Sequence, residues 1–541
     1  LKERDLIVFD PRGTGSSEPK LDCWEFAILY LRDLEQGFTD EEKESYYGDA
    51  LTMCRDRLVS AGVNPAAYTS AANAADVQDI LIVLGYEQAN LYGVSYGTRL
   101  AQNIMRDFPA IVRSAVLDSV VPFQIKLYNE VAARGNVALR VLFDACAADP
   151  ECHAAYPDLE RVFHDLVAQL DAAPVTVEVT NPFDEQTHDV AVNGSAFSNA
   201  ALWALRWPDY ISLVPQAIYQ VHDGDYSLLR FALNLPMTAF SDLSLGTMIS
   251  TSCHEHVFAT TPQELEKELA VYPSTEAMGL SIINGNGEVL FSLCEAWGAT
   301  PFDPRDDEPL VSDIPTLILT GEYDPTTPPI FGQRVAETLG QGHFFEFPGQ
   351  GHAPSFDPSQ SCPLDMALAF LDDPTIPPDD ACIAEMSQLQ FVISFRGAQD
   401  VEFELFTDQE REIKGIIPKG WKAAGQGFYN RLNSILDPTQ VGAQGAPVSA
   451  EVWVQWLADE FQYTGLDETP QLAGERQAND FTWQLYVSTF KGNPVDIALA
   501  ETQARTLLVV LLSTEYEHDA MYEAIYLPMM DALLPIEAVT P

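Results

Sequence analysis

Ala89-Asn90-Leu91-Tyr92-Gly93-Val94-Ser95-Tyr96-Gly97 runs an apolar segment straight into the pattern Gly-x-Ser-x-Gly. The pattern has chemical meaning only between a strand and a helix. There the glycines let the backbone turn tightly around a strained serine, lift its hydroxyl clear of a sheet, and leave the next amide free for an oxyanion. Both flanks are legible. Val77, Ile80, Leu81 and Leu84 follow i, i+3, i+4, i+7, so Ala75 to Leu84 is predicted to be an amphipathic helix with Gly85 as its C-cap. After the serine, Thr98 to Asp107 reads as a helix that stops before Pro109, and Ser114 to Val121 as a buried strand. Further upstream, Asp5 to Asp10 is an apolar run ending in Pro11-Arg12-Gly13-Thr14-Gly15-Ser16, which predicts another buried parallel strand and its turn. This alternation points to a doubly wound parallel sheet.

A nucleophilic serine needs a base, and the base an orienting carboxylate, in the chain order Ser, Asp, His for this architecture. The order is met by Ser95, Asp324 and His352. Asp324 follows the apolar run Thr316 to Gly321, and His352 stands in Gly349-Gln350-Gly351-His352-Ala353 behind the run His343 to Phe347. Both fall at the carboxyl ends of predicted strands, where open α/β sheets build their sites. Asp118, at the end of an earlier strand, is the alternative acid. Tyr96, the residue after the serine, supplies an oxyanion amide.

Between 122 and 310 the sequence turns helix-rich, with one alternating stretch at Val175 to Val179, and reads as an insertion between core strands. The chain therefore divides into residues 1–121 and 311–388 as two parts of one core, 122–310 as a cap, and 389–541 as a separate α+β domain. In that last domain Val401 to Leu405, the alternating Phe481 to Val487 and the apolar Thr506 to Leu512 read as strands. Gly415 to Trp421 reads as a turn and Asp519 to Leu534 as a closing helix.

With 29 Lys+Arg against 80 Asp+Glu, the 541-residue chain carries a net charge of −51. That field repels phosphate backbones, so nucleic acid is excluded as a partner. Hydrophobic content of 47% belongs to a packed protein rather than an acidic tail. No apolar run approaches the ~18 residues that span a bilayer. The eight cysteines, at 23, 54, 146, 152, 253, 294, 362 and 382, are expected to pair sequentially, from nearness along the chain. Cys23 would join Cys54, Cys146 Cys152, Cys253 Cys294, and Cys362 Cys382. Disulfides imply an oxidising compartment, and free thiols in a cytosolic enzyme are the alternative. No cofactor or metal is called for; His254 and His256 flank Glu255 but lack a ligand of known spacing.

The ordered combination of DPRGTGSSEP (10–19), NLYGVSYGTRLA (90–101), VRSAVLDSVVP (112–122), LTGEYDPTTPP (319–329) and GQGHAP (349–354) resembles the proline iminopeptidase and tripeptidyl aminopeptidase group of α/β-hydrolases. FDACAADPECHAAYPDL (143–159) resembles the tripeptidyl branch. The resemblance spans roughly residues 1 to 385. It implies a parallel α/β-hydrolase sheet under a helical cap, and a secreted or cell-surface serine exopeptidase acting on free peptide N-termini. An esterase or lactonase on the same triad, or a non-catalytic surface or assembly protein, are the competing readings. The group also carries an HGGPG-type segment ahead of DPRGTG that supplies a second oxyanion amide. The sequence begins after that point and without a signal peptide, so a segment upstream of Leu1 is expected to belong to the folded hydrolase. Association through that segment or through the C-terminal domain follows as an expectation. A substrate ammonium would need buried acid in the cap, and Glu255 and Glu295, beside Cys253 and Cys294, are the candidates. The C-terminal domain faintly resembles the sheet-and-helix domains of photosystem accessory proteins.

Overall fold

Apolar runs of six or seven residues, too short for helices and bounded by turn residues, become the strands of the first unit. In chain order these are β1 (Ala89–Val94), β2 (Val112–Asp118), the pair β3 (Val175–Thr180) and β4 (Thr187–Val192), then β5 (Thr316–Gly321) and β6 (Gly342–Phe347). β3 and β4 form an antiparallel hairpin, and the other four pair in parallel in the order β1-β2-β5-β6. The computed structural model describes residues 4–536 apart from 27–28, 30–31, 33–37, 39, 181–186, 242, 272–286, 300, 387–388, 396–400 and 432–436. Its two compact units are Leu1–Val392 and Ile393–Pro541.

β2 and β5 are the inner strands, and side chains alternate between their faces. Ala115, Leu117 and Ile318 pack with Leu100, Ile104 and Phe331 on one side. Val116, Leu317 and Leu319 pack with Phe347, Met366 and Phe370 on the other. Helices thus cover both faces, which is why β2 and β5 read as continuous apolar runs rather than alternating ones. The helix Ser70–Leu84 begins a turn earlier than its apolar spacing suggests. Thr69 caps it by accepting from the Ala72 amide, and Gly85 ends it at φ 81°.

Two strands differ from their expected form. Asp5 to Asp10 is no strand: no described strand pairs with it, and Leu6 and Val8 are 65% and 82% exposed. An apolar run becomes a strand only where a neighbour takes its backbone hydrogen bonds. β2 stops at Asp118 rather than Val121, because Ser119 takes φ 59° and turns the chain off the sheet.

Between β2 and β5 lie the helices Val131–Ala148, Leu159–Ala172, Gly194–Ala204, Val214–Asp223, Ser227–Ser241, Leu245–Ser252, Pro262–Leu269 and Gly287–Trp297, with shorter ones among them. Four disulfides close Cys23–Cys54, Cys146–Cys152, Cys253–Cys294 and Cys362–Cys382. Among the described residues no helix is long and apolar enough to cross a membrane.

The second unit is an antiparallel β domain. Its strands are β7 (Phe403–Asp408), β8 (Ile413–Pro418), β9 (Lys422–Gly425), β10 (Phe428–Asn430), β11 (Gln440–Ala446), β12 (Gln471–Ala478), β13 (Phe481–Phe490), β14 (Asn493–Glu501), β15 (Thr506–Leu512) and β16 (Leu534–Pro535). Seven form one sheet in the order β12-β13-β14-β15-β11-β10-β9, and β16-β8-β7 form another. β15 is buried throughout. Leu507, Val509 and Leu511 meet Met521, Ile525 and Met529, while Leu508, Val510 and Leu512 meet Trp453, Leu457 and Phe461.

Gly415 to Pro418 belongs to β8, so the expected turn shrinks to Lys419-Gly420, where Gly420 has φ 85°. The expected closing helix is interrupted. His518–Met521 passes through a π-helical turn, Tyr522–Tyr526, into Leu527–Ala532. Pro528 has no N–H for the i→i−4 ladder, so regular α-helix cannot run through it.

Candidate active site

Because β1, β2, β5 and β6 are parallel, the residues that follow them share one edge of the sheet. Ser95 follows β1 at φ 54°, ψ −121°, a region sparsely allowed for a side-chain-bearing residue. Several bonds hold this elbow. The Ser95 amide donates to Asp118 O (3.0 Å), and the Thr98 hydroxyl donates to Ser95 O (2.6 Å). A Cβ on Gly93 would lie 2.4 Å from Gly97 O, so glycine is required there; at Gly97 a Cβ would meet nothing within 4 Å. Tyr96 opens the helix Tyr96–Asp107, so its N–H is among those without an intrahelical acceptor. Its phenol is fixed by the Ser70 hydroxyl (2.9 Å) and by Asn73 Nδ2 (3.1 Å).

Asp324 and His352 meet. His352 Nδ1 lies 2.7 Å from Asp324 Oδ2, with both side chains buried. The acid is held by Thr326 and Thr327: their amides donate to Oδ1 (2.8 and 2.9 Å), and the Thr327 hydroxyl donates to Oδ2 (2.6 Å). Burial raises the Asp324 carboxyl, but the His352 charge and these donors outweigh it and hold the group below the ordinary carboxylate range. Burial lowers His352, Asp324 raises it and Arg206 lowers it, for a net shift below the usual imidazole value. His352 Nε2 is buried and has no hydrogen-bond partner among the described residues. The bond from Ser95 Oγ to that nitrogen is not closed in this structure, and catalytic contacts of this kind often tighten only with substrate bound. What joins the two loops is backbone and Ser119. Ser119 N donates to Leu319 O (2.8 Å), and the Ser119 hydroxyl accepts from the Ala353 amide (2.8 Å).

The alternative acid, Asp118, points elsewhere. Its Oδ2 accepts from the Ser355 amide (3.1 Å) and from the Ser355 hydroxyl, which in turn accepts from Tyr92 (2.7 Å). Burial, with Asp324 nearby, pushes its carboxyl up to about 7. Asp118 braces the loop beyond His352, while Asp324 holds the ring.

Glu255 and Glu295 are not brought to one place. Glu255 is buried, with Oε1 accepting from the Ser70 amide (2.9 Å) and Oε2 paired with Arg99 Nε (2.6 Å). Glu295 is exposed on the helix Gly287–Trp297. The Cys253–Cys294 bridge fixes two backbones, not the directions of the side chains beside them. His254 Nε2 lies 3.5 Å from Asp306 Oδ2. Burial raises Asp306, but His254, Arg106 and Arg99 hold it at about 2. His256 is buried, and desolvation lowers it well below the ordinary value. Through Arg99, Glu255 and Asp306 are tied to the helix Tyr96–Asp107.

Sequence reasoning missed Thr327, Ser119 and Arg206. The first had a signal, because Asp-Pro-Thr-Thr is a turn in which an aspartate takes the following amides. The other two carry no motif.

Two family models match: an alpha/beta hydrolase fold over residues 1–137 and a TAP-like protein over residues 285–382. The serine protease Hip1 of Mycobacterium tuberculosis is 25% identical over 412 residues, covering 70% of this chain and 74% of that protein. The tripeptidyl aminopeptidase of Streptomyces lividans is 32% identical over 140 residues, 25% of this chain and 26% of its own length. A solution structure of cyanobacterial PsbP from Synechocystis is 10% identical, covers 26% of this chain and 96% of that chain, and has a TM-score of 0.19. The first unit, a parallel sheet with helices on both faces and a nucleophile-type elbow, is that of an α/β hydrolase. Within that fold, residues 285–382 are similar to TAP-like proteins.

Proposed function

We propose that this chain is a serine peptidase working at the cell surface or outside the cell, removing short peptides from free N-termini. The observation that carries the reading is the 2.7 Å contact between His352 Nδ1 and Asp324 Oδ2, with Nε2 buried and unpartnered on the loop tied through Ser119 to the Ser95 elbow. Ser95 Oγ attacks the peptide carbonyl as His352 Nε2 takes its proton, giving a tetrahedral oxyanion that the Tyr96 amide stabilises. The imidazolium returns that proton to the leaving amine, and the acyl-enzyme is hydrolysed by water activated on the same nitrogen. Asp324 fixes the ring and stabilises its charge. The exopeptidase part is supported by relationship to a tripeptidyl aminopeptidase and by the helices inserted between β2 and β5. Location outside the cytoplasm is supported by the four disulfides.

The test compares turnover of short peptide amides with a free and an N-acetylated N-terminus. Faster turnover of the free peptide, abolished in Ser95→Ala, is expected. Equal rates on both would remove the exopeptidase reading, and ester hydrolysis without peptide hydrolysis would put an esterase in its place.

A further inference from the structure

Arg206 stands in the cap immediately after the helix Gly194–Ala204, and it lies against the histidine loop. Its carbonyl accepts from the His352 amide at 2.8 Å, and a Cβ on Gly351 would meet that carbonyl at 2.3 Å. Its guanidinium donates through Nη1 to the Thr326 hydroxyl, on the turn that holds Asp324. It lies beside two stacked indoles, with Cζ 4.9 Å from the Trp203 ring centre and 5.7 Å from that of Trp207, the two ring centres being 6.2 Å apart.

What sets this cation apart is what it lacks. Arg99 has Glu255, Arg106 has Asp306, and Arg431 has Asp437 and Glu517. Arg134 places its donors on Glu130 O, Thr326 O and Leu127 O. Among the described residues no carboxylate pairs with Arg206, Nε is buried with no acceptor, and Nη2 makes no hydrogen bond without being sealed from solvent. In a chain with 80 acidic residues, a guanidinium left short of acceptors beside a candidate catalytic histidine is chemically matched to an anion from outside. A net charge of −51 opposes anionic ligands in general, so a local fork of donors is needed to seat one.

We propose that Arg206 is a substrate-binding residue that receives a carboxylate of the peptide, presenting Nε and Nη2 to it beside the stacked Trp203 and Trp207. The carboxylate is either the free C-terminus of a short peptide or an acidic side chain beside the scissile bond. This deepens the peptidase reading and rests on it.

Calorimetric titration of the full chain carrying Ser95→Ala tests the subsite without turnover. The probes are Ala-Ala-Ala against its C-terminal amide, and Ala-Ala-Glu amide against Ala-Ala-Gln amide. One acid should bind about tenfold or more tighter than its neutral partner, as expected for charge-assisted hydrogen bonds. Arg206→Gln should abolish that preference. Arg206→Lys, which keeps the charge but not the fork, should weaken it about threefold or more. Preference within the first pair identifies a main-chain carboxylate, and preference within the second a side chain. No preference in either pair, or one that survives unchanged in Arg206→Gln or Arg206→Lys, overturns the proposal. The two readings fail separately. Discrimination in Ser95→Ala with no peptide cleaved by the wild type removes the peptidase reading and keeps the carboxylate subsite; cleavage without discrimination does the reverse.

Discussion

The unit ending at Val392 carries all eight cysteines in four bridges, and its charged groups converge on an elbow, an acid–histidine pair and a cap. The unit from Ile393 has no cysteine. It is organised on β15, buried on both faces, and on Arg431, which donates to Asp437 at 2.6 and 2.9 Å and to Glu517 at 2.7 and 3.0 Å. Covalent staples reinforce the cores of the first unit around the candidate site, while the second relies on its cores and buried ions. Substitutions in the first are therefore expected to separate activity from stability, while those in the second should change stability alone.

The largest expected effect belongs to Asp324→Asn, which keeps the geometry but fixes the wrong imidazole tautomer and should lower kcat about 10⁴-fold. Asp118→Asn, which loses only the brace on Ser355, should cost less than about tenfold, since no reacting atom touches it. Steady-state kinetics on one peptide settles the comparison; equal losses would assign the acid role to both. Next in size is Arg431→Met. It leaves Asp437 and Glu517 buried without their cation, and should destabilise the second unit by about 3–5 kcal/mol with turnover unchanged. Scanning calorimetry beside an activity assay checks it.

Removing Cys253–Cys294, whose partners are 41 residues apart, should cost the first unit about 4 kcal/mol, and Cys146–Cys152, 6 apart, about 2 kcal/mol, by loop-closure entropy. The second unit should melt as before. A smaller effect follows from Asp118, whose carboxyl is raised to about 7 in the folded chain. A carboxyl raised on folding favours the protonated native state. Its stabilisation is present below the unfolded value near 3.9 and is lost as pH climbs through about 7. The melting temperature of the first unit in the wild type minus that in Asp118→Asn should thus fall between pH 4 and pH 7, whatever slope the lowered His256 and His352 give to both. Parallel slopes would show that Asp118 does not titrate there.

What could be read from sequence follows the range of the forces involved. Gly93-Val94-Ser95-Tyr96-Gly97 is legible because the elbow's strain is local, and Asp324 and His352 because chain order and strand ends restrict where partners fall. β15 is legible because both its faces are apolar. Asp5 to Asp10 misleads because strand formation is decided by a partner that the run itself does not encode. Glu255 and Glu295 mislead for a related reason. Neighbouring a disulfide fixes a backbone position, but Arg99 and the Ser70 amide decide where the Glu255 side chain goes. Arg206 leaves no trace at all, because its meaning lies in acceptors it lacks in three dimensions. The break at Tyr522–Tyr526 was within reach, since Pro528 was visible in the predicted helix.

The central claim is that Ser95 is a nucleophile activated by His352. Intact-mass and peptide-mass analysis after treatment with a fluorophosphonate tests it most directly, because that reagent needs an activated serine and no particular substrate. One equivalent bound on the peptide holding Ser95, absent in Ser95→Ala and strongly slowed in His352→Ala, is the expected result. An unmodified chain, or an adduct that persists in Ser95→Ala, would contradict it.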